Sequence, residues 1–304
     1  MSIEDQYAAR IQGYCAALKR EARRLRQGRV EALHRARVVS RRLREGLVLL
    51  AVDPDVQKLK RQLKKVTRHL GSVREVDALM GLIDEYRRDT SYSPAALQEV
   101  GTAIASERRV KRQDLTSTFF PTEHERLARR VERALERRRK ADAVGQRRNA
   151  RHPKQLWRSL LEARVVARAS RVASALDVAG TLYGSERLHQ VRVSVKKLRY
   201  ALDLLGDEQH SVASNQIERL RSAQDLLGRL HDIEVLIERT RRVQASLTPP
   251  DVIRWRELTA FAHMLEDDCR RLHARFLQDR GDLVAIVMHA AKLSLASPQL
   301  SAKR

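Results

Sequence analysis

Glycine, proline and aromatic side chains are all scarce in this 304-residue chain: 12 Gly, 7 Pro and 4% Phe, Trp and Tyr together. So few turn formers and ring side chains argue against a β-sandwich or barrel and favour helix packed on helix. There are two cysteines, Cys15 and Cys269, far apart and without partners at metal-ligand spacing. They offer neither a disulfide framework nor a cysteine metal site, and they point to a reducing compartment. Long apolar runs are missing too. The most apolar stretch, residues 282–296, is interrupted by His289 and Lys292, so no membrane insertion is expected. The first residues carry Glu4 and Asp5 where a secretory leader needs a basic region and an apolar core, so the expected location is the cytoplasm.

What the chain has in excess is positive charge. Lys and Arg number 61 against 38 Asp and Glu, a formal net charge of +23. Such an excess attracts polyanions without any specific motif, and by itself fits nucleic acid, polyphosphate or an anionic membrane surface. Hydrophobic residues make up 42% of the chain, enough for a core, so the 33% charged content does not signal disorder.

Apolar residues recur at three and four along most of the sequence, which predicts about ten amphipathic helices. Prolines mark several starts. Asp53 before Pro54 and Ser93 before Pro94 read as caps followed by proline at the first helical position. Thr122 with Glu125 forms a capping box, Pro153 and the stretch 248–251 mark further starts, and Ser185 can cap a helix from Glu186. Periodicity is lost around residues 144–154, and 144–152 is read as a basic linker between a first helical unit, 3–143, and a second, 153–296.

The two units repeat each other. His34-Arg-Ala-Arg37-Val-Val-Ser-Arg41-Arg42-Leu43-Arg44 aligns without a gap on His189-Gln-Val-Arg192-Val-Ser-Val-Lys196-Lys197-Leu198-Arg199, and Leu47 and Leu50 match Leu202 and Leu205. Further on, the run from Leu70 and Gly71 to Leu79 aligns on the run from Leu227 and Gly228 to Leu236, shifted by two residues. Ordered matches at nearly one offset indicate a tandem duplication, each half a bundle of about four to five helices.

On a helical wheel His34, Arg37, Arg41 and Arg44 fall on one stripe, and Ala36, Val39, Leu43, Leu47 and Leu50 on the opposite face. The second copy repeats both, with His189, Arg192, Lys196 and Arg199 against Leu198, Leu202 and Leu205. An ordinary exposed face mixes acids with bases, because like charges at i,i+4 cost about 0.2–0.5 kcal/mol each. Here the repulsion is kept twice. A bound anion running along the stripe relieves it, and each charge-assisted hydrogen bond adds about 1.5–3 kcal/mol. The plainer reading is pairing with carboxylates of a neighbouring helix, such as Glu75 and Asp77.

Neither histidine has a second ligand at metal spacing, nor a visible partner for acid–base or nucleophilic work; as members of the stripe they can donate to phosphate oxygens. In the Leu-Gly motif, Gly71 and Gly228 read as helix caps or close helix crossings. Arg74, with His231 at the same place, reads as a donor. Glu75, Asp77, Asp232 and Glu234 read as groups that orient Arg and Lys more than as a Mg²⁺ site. No cofactor or metal is expected. Lys60, Lys64, Lys65 and Arg68 add basic residues just before the first copy of that motif.

The repeated H-x-x-R-V-x-x-[RK]-[RK]-L-R unit, followed each time by LG-x-x-[RH]-[DE], resembles the CHAD family of α-helical domains named for conserved histidines, over about residues 3–280. The resemblance implies an all-α fold of two helical bundles related by a pseudo-twofold axis, with a basic cleft or pore between them. It also implies binding of inorganic polyphosphate and association with polyphosphate granules. The positions it singles out are His34, Arg37, Arg41, Arg42 and Arg44, then His189, Arg192, Lys196, Lys197 and Arg199, with Lys64 and Arg74 as weaker matches. The E-x-E-x-K pattern of the triphosphatase domain fused to some members is absent from this sequence, and His231 departs from the family pattern.

Three functions compete. The first is a non-enzymatic polyphosphate binder. The second is non-specific nucleic-acid binding, disfavoured because aromatics for stacking are few and no recognition-helix motif appears. The third is a polyphosphate-processing enzyme, which needs an acid cluster and a positioned nucleophile that the sequence does not show. Oligomeric state is open at this stage.

Overall fold

The structure is a computed structural model and describes residues 3–27, 29, 31–50, 55–118, 121–148, 153–205, 210–248 and 251–292. Among these it is all-helical, as expected: α1 (Ile3–Arg26), α2 (Glu31–Gly46), a 3₁₀ turn (Leu47–Leu50), α3 (Asp55–Tyr86), α4 (Pro94–Thr118), α5 (Pro121–Arg148), α6 (Pro153–Ala179), α7 (Ser185–Leu205), α8 (His210–Ala245) and α9 (Val252–Lys292). None of the described helices is long and apolar enough to cross a membrane.

Local chemistry explains several boundaries. Ser93 caps α4, its carbonyl accepting from Leu97 N at 3.1 Å and its hydroxyl from Ala96 N at 3.3 Å. Asp251 caps α9 in the same way, with Oδ1 3.0 Å from Ile253 N and 3.1 Å from Arg254 N. Gly180, at φ 59°, ends α6 in the left-handed conformation that glycine adopts without strain. Other expectations are corrected. Helix α5 starts at Pro121, so Thr122 lies inside its first turn. Gly184, not Ser185, receives the first helical bond of α7, from Leu188 N at 2.9 Å. Gly71 and Gly228 sit in the middle of α3 and α8, whose periodicity runs on through both glycines, so neither caps a helix. Helix α5 reaches Arg148, and residues 149–152, like Asp53 and Pro54, lie outside the described residues.

Three large apolar clusters make the core. The first joins Tyr7, Ile11, Cys15 and Leu18 of α1 to Leu43 of α2, Val131 and Leu135 of α5 and Trp157 of α6. The second joins α6, α7, α8 and the end of α9 through residues such as Val172, Val195, Leu227 and Leu283. The third is shared by both halves of the chain: Ile83 and Val100 of α3 and α4 meet Leu236 and Phe261 of α8 and α9. Each such fully buried Leu, Val or Phe contributes about 1.5–3 kcal/mol, so the shared cluster is a substantial bond between the two repeats.

Polar ties cross the same boundary at the ends of α2 and α7. Arg10 Nη1 donates to Leu204 O at 2.9 Å, and the Tyr14 hydroxyl donates to Asp203 Oδ2 at 3.0 Å. Glu45, 8% exposed, receives both Nε and Nη2 of Arg168, itself 6% exposed, at 2.7 Å each. Arg164 Nε adds a third donor at 2.8 Å. Removing the carboxylate strands a buried guanidinium, a change that typically destabilises by about 3–5 kcal/mol. Glu45→Ala is therefore expected to lower unfolding stability in urea by about that amount; a loss below about 1 kcal/mol contradicts this role.

Candidate functional site

Helices α2 and α7 pack against one another, each backed by the next long helix, α3 behind α2 and α8 behind α7. Their apolar faces point into the core: Ala36, Val39 and Leu43 are buried on α2, and Val191, Val195 and Leu198 on α7. The opposite faces bring the two cationic stripes together. Arg37 lies within repulsive range of Arg41, Arg74 and Arg192, and Lys196 within range of Arg41, Arg192, Arg37 and Lys197. One cluster thus takes groups from both copies of the motif.

Crowding and burial leave clear marks on these groups. Burial, then the neighbouring arginines, pushes the Lys196 ammonium down to about 6 and the Arg37 guanidinium down to about 10. Arg41 and Arg192 are lowered as well, chiefly by burial. Nε of Arg37 and Nε of Arg192 are buried and have no hydrogen-bond partner among the described residues. Gly71 faces Arg37: a Cβ there would stand 3.6 Å from Arg37 Nε, in ordinary van der Waals contact with the guanidinium.

The histidines stand at one end. His34 Nδ1 accepts from Arg74 Nε at 3.2 Å. Partial loss of hydration, then the charges of Arg74, Arg37 and Arg41, hold His34 below its usual pKa. In the second copy His231 takes the place of Arg74, its ring 4.8 Å from that of His189. His189 is lowered by lost hydration and then by Arg192 and His231. The departure at His231 therefore preserves the pairing: a nitrogen-bearing group from the Leu-Gly motif still meets the stripe histidine.

The carboxylates Asp77 and Glu75 of that motif hold arginines, as expected, but not those of the stripe. Asp77 binds Arg108 at 2.6 Å and Arg112 at 2.9 Å on α4, and Glu75 binds Arg239 at 3.3 Å, so neither neutralises the stripe. Asp232 and Glu234 both act on Arg192; Asp232 also lies near His231, Arg74 and Arg37, and burial raises its pKa against their influence. Glu234 accepts from the Tyr183 hydroxyl at 2.6 Å and lies 3.8 Å from His231 Nδ1.

Not every predicted position joins. Arg42 points into the α1–α7 seam, 3.7 Å from Asp203 and over the rings of Tyr14 and Tyr200 at 5.6 and 6.0 Å. Arg199 is buried, donates to Gln224 Oε1 at 3.2 Å and stacks on Tyr200 at 4.9 Å. Lys64 is exposed on the same stripe of α3 as Gly71 and Arg74. Arg44 and Lys197 lie past the cluster, next to Glu45 and Arg168.

Four contributors were missed in the sequence. Tyr200, buried, is hydrogen-bonded to Arg41. It aligns on Glu45 when the motif is extended by one residue, and each of the two reaches across to the other half of the chain. Arg164, Arg168 and Arg171 of α6 repeat the four-and-three spacing of the stripes with no acid between them, a signal that was present. Chemically the arrangement offers many donors, several of them inside the protein, and almost no negative charge.

Comparison with known proteins agrees with the fold. The family model described as CHAD domain matches residues 9–241. Among solved structures, "PptA from Streptomyces chartreusis" shares 17% identity with a TM-score of 0.58, covering 97% of this chain and 99% of that one. The CHAD domain from the plant Ricinus communis shares 18% identity with a TM-score of 0.55, covering 97% of this chain and 92% of that one. At these identities the two structures speak for the fold alone. Among curated proteins no sequence matches. The family model spans most of the chain, the fold agrees, and both copies of the histidine and Leu-Gly motifs are in place: the chain belongs to the CHAD domain family.

Proposed function

We propose that the protein binds inorganic polyphosphate along the basic track between α2 and α7, without cleaving it, and that this binding recruits it to polyphosphate granules in the cytoplasm. The observation that carries the reading is the pair of buried Nε atoms, on Arg37 and Arg192, without partners among the described residues, with Arg41, Arg74 and Arg192 crowded around Arg37. A buried donor left unsatisfied costs about 1–3 kcal/mol, more when charged. An anion that enters supplies the missing acceptors and the missing charge together. Membership of the CHAD family supports the same choice.

The burial also bears on which polyanion fits. A polyphosphate chain is slim and carries charge on every unit, so it reaches guanidinium groups recessed between helices. A nucleic-acid duplex presents its phosphates on a thick, rigid cylinder and meets mainly exposed cations. The two tryptophans do not serve as stacking platforms at this site: Trp157 is buried against Tyr7, and Trp255 lies exposed on α9.

Two outcomes are expected. In titration calorimetry with long-chain polyphosphate, Arg37→Ala and Arg192→Ala are each expected to weaken binding about tenfold or more, the equivalent of one charge-assisted hydrogen bond; unchanged affinity in both contradicts the reading. The second outcome concerns protons. Lys196 is depressed to about 6 in the free protein by burial and by Arg41, Arg192, Arg37 and Lys197. A bound polyanion favours the ammonium and raises its pKa, so binding takes up a proton above that value. Affinity is expected to fall as pH rises from about 6 to about 8, by up to about tenfold per unit for one linked proton. Lys196→Arg, charged throughout, is expected to flatten the profile; an equally steep profile in that variant contradicts the assignment.

A further inference from the structure

Beyond the central cluster, positive charge gathers at the end of the stripes away from the histidines. Arg44, Lys60, Arg164, Arg168 and Lys197 surround one carboxylate, Glu45, and Arg171 lies within repulsive range of Arg164 and Lys197. That carboxylate is fully engaged: Arg168 takes both its oxygens and Arg164 shares one. Arg44, Lys60, Arg171 and Lys197 are left without a carboxylate of their own among the described residues. The group is continuous with the central cluster, since Arg41 lies within repulsive range of Arg44, and Lys196 within range of Lys197.

The matching place in the other repeat is built differently. The buried residues Ile11, Cys15, Leu18 and Ala22 of α1 match Val165, Ala169, Val172 and Leu176 of α6 in one register. In that register Tyr14 stands where α6 has Arg168, and Ala17 where it has Arg171. Arg42, the counterpart of Lys197, is covered there by the Tyr14 ring and faces Asp203. One end of the track is thus covered, with Arg10 held on the Leu204 carbonyl and Arg42 facing Asp203. The other stays cationic, with Arg171 exposed and Lys60 half-buried.

We propose that Arg44, Lys60, Arg171 and Lys197 form a second phosphate subsite, through which a polyphosphate longer than the central cluster leaves the protein along α6. The subsite rests on the polyphosphate reading and gives the track a direction. Short chains fill the centre; longer ones add contacts on the α6 side and none on the α1 side. Lys60 and Arg171 are the residues to test, because neither holds Glu45 and both can be removed with the buried ion pair intact.

The experiment is calorimetric titration of the full chain with tripolyphosphate and with long-chain polyphosphate at one ionic strength. It compares wild type, Lys60→Ala/Arg171→Ala, and a charge-matched control, Arg256→Ala/Arg275→Ala, at exposed positions on α9. The subsite predicts a loss of about tenfold for long chains only in the first variant, with tripolyphosphate binding unchanged and the control like wild type. Equal affinity of that variant and wild type for long chains overturns the subsite, as does an equal loss for both probes or the same loss in the control. Failure of the wild type to bind either probe overturns the underlying reading and the subsite with it.

Discussion

Like charges held close together inside the protein, with almost no counter-charge, are the constraint on which the rest of the structure depends. Arg37, Arg41, Arg192 and Lys196 repel one another across the α2–α7 junction. Something must hold that junction together against them. The apolar faces on the far sides of α2 and α7 do part of this, and the third core cluster, shared between the repeats, does more. The Glu45–Arg168 pair and the Tyr14–Asp203 hydrogen bond fasten the ends. The fold thus holds together a site whose cations are left electrostatically unsatisfied among the described residues.

The acids show how the same end is served from the surroundings. A chain with 38 carboxylates is able to neutralise four or five cations at its centre. Instead Asp77 and Glu75 are turned outward to Arg108, Arg112 and Arg239, where they tie α3 to α4 and α8. Asp232 and Glu234, near Arg192, are the exceptions, and burial disfavours the charge of Asp232. The buried guanidinium nitrogens and the depressed Lys196 are consequences of that arrangement, and of the two only Lys196 changes its charge near neutral pH.

Much of this was legible in the sequence. The helical class followed from few glycines, prolines and aromatics, and the stripes from spacings of three and four in two aligned copies. The family followed from those same residues. What escaped was set by contacts distant in sequence. A wheel cannot tell which helix covers a stripe, so Arg42 and Arg199 read as ligand-facing while tertiary packing turned them onto Tyr14, Tyr200 and Gln224. Gly71 read as a cap or a close helix crossing, because glycine serves both. Its position beside the Arg37 guanidinium depends on how α3 crosses α2. Arg164, Arg168 and Arg171 carried the same spacing as the stripes, yet they lie outside the repeated motif, and repetition was what had drawn attention to the others.

The central claim is that recessed, unpaired cations select a slim, densely charged chain over other polyanions. Its most direct test is the affinity of the intact protein for long-chain polyphosphate and for duplex DNA, measured by calorimetry at the same ionic strength and pH. The account predicts tighter binding of polyphosphate, retained at a salt concentration that abolishes binding of the duplex. Equal affinities with parallel salt dependence contradict it.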